Sequence, residues 1–114
     1  MIMSEIVNKV KDHVLNVNKE YMDNPENNKY DYYNEHIKYV VRNSAELAKE
    51  YNDDIETVEI GALLHDIAKM MKIGTNADHH INGAMIAEKL LSEYNYPHDK
   101  IEKVKNIILH HRSS

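Results

Sequence analysis

Apolar residues recur three and four positions apart along almost the whole chain, and no stretch shows the alternation of a half-buried strand. This spacing predicts a first helix over about residues 4–21, with Ser4 as its N-cap and Ile6, Val7, Val10, Val14, Leu15 and Val17 facing inward. Residues 23–28, rich in Asn and Asp around Pro25, read as a loop. Tyr30, Tyr32 and Tyr33 follow and are expected to pack the loop's end on the core, with lining of a substrate cleft as the alternative. A second helix is expected over about residues 34–51, with a stripe of Ile37, Val40, Val41, Leu47, Ala48 and Tyr51, and His36 at the edge of that arc. Asp53 is expected to cap a third helix reaching Met71. That helix is apolar nearly all round, which predicts a central position, and Gly74 reads as the residue that ends it. A fourth helix is expected over about residues 78–94, and Pro97 suits the first position of a fifth that runs on to the end. The fold read from this pattern is one all-α domain of about five helices spanning residues 1–114.

Composition narrows the chemistry. The 114 residues contain no cysteine, which removes disulfides, thiolate nucleophiles and closed Cys-type zinc sites. A net charge of −5 without a basic stripe argues against binding nucleic-acid duplexes or anionic membranes. A small phosphorylated ligand is compatible with that charge, because bound dications reverse the local sign. The N-terminus lacks a basic segment followed by an apolar run, and no stretch has the length of a membrane span. The expectation is a soluble, cytoplasmic protein whose oligomeric state the sequence leaves open.

The pair His65-Asp66 changes the picture, because it interrupts the most apolar helix. An imidazole and a carboxylate in such surroundings cost several kcal/mol unless each finds a partner. Other histidines lie at wide intervals: His36 at a helix start, His79-His80 at another, and His110-His111 at the chain's end. A divalent metal satisfies such a set together, and imidazole with carboxylate suits Zn, Fe, Mn, Co or Ni. Helical projection puts His80 nearer its apolar face than His79. His111 falls within the arc of Ile101, Val104 and Ile108, and His110 outside it. His13 and His98 read as surface residues, and Glu56, Glu59, Glu88 and Glu93 as solvated faces.

Four segments carry a family resemblance: 36–45, opening on His36; Ala62-Leu63-Leu64-His65-Asp66-Ile67-Ala68-Lys69; Asp78-His79-His80-Ile81-Asn82-Gly83-Ala84; and Ile108-Leu109-His110-His111-Arg112. In this order they resemble the HD-domain superfamily of metal-dependent phosphohydrolases, over residues 36–112. The resemblance implies that His36, His65 and Asp66 bind a principal metal and that Asp66 bridges to a second ion. His79 and His111, with His110 as the alternative, would serve that second ion. The family register selects His79 over His80. Lys69 matches the family's phosphate-neighbouring lysine, and Arg42 is a weaker candidate for the same role. The family's further aspartate, on the helix after the last histidine block, would fall beyond Ser114. The expectation is therefore either a fragment of a longer protein or an incomplete site.

The function implied is hydrolysis of a phosphomonoester, phosphodiester or nucleotide by a metal-activated water, with Asp66 and Lys69 as catalytic residues. One or two divalent ions (Fe, Mn, Ni, Co, Zn or Mg) would be the cofactor, and a small, nucleotide-like phosphorylated molecule the partner. A non-catalytic regulatory or scaffold domain with at most a structural metal is the alternative. A di-iron oxygenase, known among relatives in the superfamily, is a third reading.

Overall fold

A computed structural model describes residues 4–110, and among these every regular element is helical. α1 spans Glu5–Asp23, and the Ser4 hydroxyl caps it by accepting from the Val7 amide. A π-helical turn, Tyr33–Ile37, runs directly into α2, Lys38–Glu50. α3 is Ile55–Leu64 and α4 Ile67–Met71; a 3-10 turn, Asn76–Asp78, leads into α5, His79–Glu93, and α6 is His98–His110. No helix among the described residues is long and apolar enough to cross a membrane.

α3 is the axis of the fold, packed against α1, α2 and α6, while α5 packs against α6 and α4. Its residues from Thr57 onward are almost all buried, as all-round apolarity requires. Gly61 allows α6 to come close: a Cβ there would lie 2.5 Å from Ile107 Cγ2. Val7, Val10 and Val14 of α1, with Ile37, Leu63, Leu91 and Ile108, complete a continuous core.

Several expectations need correction. The third helix is not continuous, because it breaks between α3 and α4 at His65-Asp66, where Asp66 takes φ −109°, ψ 12°. The His65 imidazole bonds the Ala62 carbonyl, the acceptor that the Asp66 amide would use in an unbroken helix. The cap of α3 is Asp54, which accepts from the Thr57 amide; Asp53 instead accepts from the Asp54 amide. α4 ends on Lys72 in the left-handed region (φ 58°), and Gly74 (φ 74°) follows two residues later. Pro97 lies one residue before α6. Leu47 and Tyr51 are 56% and 75% exposed, since α2 turns that edge of its stripe to the outside. Glu59 is buried and Glu56 is half-buried, paired with Tyr96 and Lys100, whereas Glu88, paired with Lys105, and Glu93 lie on solvated faces as expected.

Candidate metal centre

The α3–α4 break puts His65 and Asp66 at the centre of the molecule, 0% and 2% exposed. His36 reaches them from the π-helical turn, whose wider coil sets the side chain differently from α2's own register. A buried asparagine on α1 anchors that turn. Asn18 donates to Asp31 Oδ1 at 2.8 Å and accepts from the Tyr33 amide at 3.3 Å. Asp31 in turn accepts from the Asn34 amide and side chain at 3.0 and 2.8 Å. The Asn34 bonds, assisted by Asn18 and opposed by partial burial, hold the Asp31 carboxyl below its usual range.

Three polar atoms converge. His36 Nε2 lies 3.2 Å from His65 Nε2 and 3.3 Å from Asp66 Oδ2, and His65 Nε2 lies 3.1 Å from that same oxygen. A carbonyl can only accept, so the 2.5 Å contact of His65 Nδ1 with Ala62 O puts a proton on Nδ1. In the neutral ring, Nε2 then offers a lone pair to the cluster. His79 is oriented likewise, with Nδ1 donating to Asn76 O at 2.6 Å and Nε2 4.0 Å from Asp66 Oδ1. Such carbonyl-tethered imidazoles are how proteins present histidine to a metal.

The donor set fits a divalent ion. Metal–ligand bonds of about 2.1 Å require neighbouring ligand atoms about 3.0 Å apart in an octahedron and about 3.4 Å in a tetrahedron. The three observed separations fall between these. The second carboxylate oxygen, Asp66 Oδ1, is buried without a hydrogen-bond partner, as are His79 Nε2 and His80 Nε2. Buried polar atoms of that kind are rare in native proteins and point to a ligand. Burial pushes the Asp66 carboxyl upward, but the neighbouring His65, then Lys69 and His36, outweigh it and hold the group below its ordinary value. Burial, then the neighbouring His79, pushes the His80 imidazole below its usual range.

Lys69 Nζ stands 3.9 Å from Asp66 Oδ1. It opens onto a cleft of about 280 Å³ shared with Tyr32, Lys72, Thr75 and His79. Arg42 does not join this group; it lines a different cavity, between α2 and α3. His110 is exposed on the last described turn, and His111 lies outside the described residues. Asn18 and Asp31 had no place in the sequence reading of the site, whereas Tyr32 belongs to the tyrosine group that reading weighed as a cleft lining. Asn18 did leave a signal, as a polar residue continuing the Val7, Val10, Val14 spacing.

Residues 33–114 match the HD domain family. An uncharacterized protein from Clostridium beijerinckii is 35% identical over 57 residues, which are 50% of this chain and 36% of that protein. The crystal structure of a predicted HD superfamily hydrolase from an uncultured Thermotogales bacterium superposes with a TM-score of 0.70 at 28% identity, over 90% of this chain and 59% of that one. The chain thus spans about a third of the length of the first and less than two thirds of the second.

Proposed function

The chain belongs to the HD domain family, whose members generally bind divalent metals, and from that membership we propose that it is a metal-dependent phosphohydrolase acting on a small phosphorylated, nucleotide-like molecule. The observation that carries this reading is the buried convergence of His36 Nε2, His65 Nε2 and Asp66 Oδ2, next to the unpartnered Asp66 Oδ1 and His79 Nε2. His36, His65 and Asp66 would hold a principal ion, and His79 with the other edge of Asp66 a second one, with His110 or His111 as the further ligand. When bound, such an ion supplies a Lewis acid that brings the pKa of water toward neutrality.

The chain's own side chains do the rest. The backbone carbonyls of Ala62 and Asn76 keep two imidazoles in the tautomer that presents Nε2. Asp66, kept ionised, accepts a hydrogen bond from the nucleophile and takes its proton. Lys69, with Lys72 across the cleft, offsets charge gathering on the phosphoryl oxygens in the transition state. Tyr32 closes the cleft's aromatic side. The small volume of the cleft favours a compact phosphoester over a polymer.

The test is metal analysis of the untagged protein together with hydrolysis of p-nitrophenyl phosphate, its bis-ester and nucleoside monophosphates, with Mn²⁺ or Ni²⁺ added. His65→Ala and Asp66→Asn should lose the metal and the activity while keeping the helical circular dichroism spectrum. Hydrolysis by His65→Ala at the wild-type rate sinks the proposal. Bound metal without turnover of any ester would make the chain a non-catalytic member of the family.

A further inference from the structure

A second cavity, of about 390 Å³, lies between α2 and α3 and shares no lining residue with the metal-centre cleft. Its size is within the range of about 300–1,000 Å³ usual for small-molecule sites. Glu59 lines it and is 7% exposed, yet among the described residues no hydrogen bond or ion pair reaches its carboxyl. Burial, reinforced by the charge of Glu56, pushes this carboxyl above its ordinary range, the mark of an acid without a partner.

Three cations stand around the same cavity. Lys38, Arg42 and Lys49 follow one face of α2 at intervals of four and seven residues. They do not neutralise Glu59, because two of them rest elsewhere: Lys38 Nζ and Arg42 Cζ lie over the half-exposed Tyr39 ring, 5.5 and 5.8 Å from its centroid. Exposed contacts of this kind are weak, so both side chains are free to turn to an anion. Tyr33 and Val41 supply an aromatic and an aliphatic wall. With Glu46 counted, the lining holds three positive and two negative side chains.

We propose that this cavity is a second ligand site, for a nucleoside monophosphate whose base offers paired N–H donors to Glu59 while its phosphate meets Lys38, Arg42 and Lys49. A carboxylate that opens on a cavity without a partner suits donors, and a cationic rim suits an anion. One small molecule carrying both, separated by a flat apolar body, meets both requirements. The guanine edge, with adjacent imino and amino N–H groups, matches a carboxylate in bidentate fashion. The uracil edge has a single N–H between two carbonyls and would set oxygen against oxygen.

The experiment is calorimetric titration of the full chain with GMP, UMP and ribose 5-phosphate. GMP is expected to bind at least about tenfold more tightly than UMP, a difference of about 1.4 kcal/mol. Glu59→Gln should erase that preference, and Arg42→Ala should weaken GMP, UMP and ribose 5-phosphate alike and flatten the salt dependence. His65→Ala should leave GMP binding intact, since the metal centre is elsewhere. The proposal is overturned by the absence of saturable GMP binding, or by equal affinity for GMP and UMP. It is equally overturned by GMP binding that His65→Ala abolishes and Glu59→Gln does not, which would assign the nucleotide to the metal centre. Should Glu59→Gln fail to fold, the Arg42→Ala and His65→Ala titrations decide by themselves.

Discussion

Asn18→Ala is the sharpest test of how the fold holds His36 in place. The substitution removes a 2.8 Å hydrogen bond to the Asp31 carboxylate and a 3.3 Å bond from the Tyr33 amide. A bond to a charged acceptor contributes about 1.5–3 kcal/mol and a neutral one about 0.5–1.5 kcal/mol. Both terms belong at the low end, because Asp31 keeps its two bonds from Asn34 and the Tyr33 contact is long. Alanine's better helix propensity returns about 0.5 kcal/mol. The net loss is about 1.5 kcal/mol, which lowers the Tm of a chain this size by roughly 6 °C. Metal affinity should fall about tenfold as well, because His36 sits on the turn that Asn18 anchors. Val10→Ala, also in the α1 core but away from the turn, is the control: it should lower the Tm and leave metal affinity alone. The pH dependence has a definite sign. Asp31 is held low, so its bonds stabilise the protein above the unfolded carboxyl's pKa and fade as pH falls through the folded value. The gap between Asn18→Ala and wild type should therefore narrow below about pH 4. The reasoning is refuted if Asn18→Ala retains wild-type Tm and metal affinity, or if Val10→Ala weakens the metal equally.

Three further outcomes are expected. Gly61→Ala would set a methyl 2.5 Å from Ile107 Cγ2 and 3.0 Å from its Cβ, an overpacking that costs about 1–3 kcal/mol in chemical denaturation; no change in midpoint would show that α6 shifts freely. Glu59 is a buried acid with a raised pKa, so the folded state binds its proton more readily than the unfolded chain and stability declines as pH rises through that range. Glu59→Gln should accordingly be more stable than wild type at pH 7 and indistinguishable from it below about pH 4, where both side chains are neutral; equal midpoints at pH 7 would count against the unpaired carboxylate. Saturating Mn²⁺ or Ni²⁺ at about 100 times its Kd should stabilise the wild type by about 2.7 kcal/mol in thermal unfolding; a similar gain in His65→Ala would locate the ion elsewhere.

The periodicity of apolar residues determined the all-helical class and most boundaries, because each helix buries one face and that requirement is written locally, at three- and four-residue spacing. Ser4 as a cap, the central place of the Ile60–Leu64 run and the singularity of His65-Asp66 were legible for the same reason. The expected bounds of α2 and α5 lay within a few residues of the observed ones. What the tertiary structure decided concerns partners distant in the chain. The break at His65-Asp66 depends on an imidazole finding the Ala62 carbonyl, and a period count cannot register a side chain competing for a backbone acceptor. Helical projection favoured His80, whereas the tether from Asn76 turns His79 Nε2 toward Asp66. Leu47 and Tyr51 continue the stripe of α2, yet both stay exposed once the helices pack. Glu59 looked like a solvated acid because its burial arises only once α2 lies beside α3. Which apolar faces exist is a property of the sequence; which polar atoms they seal in without a partner depends on how the helices close on one another.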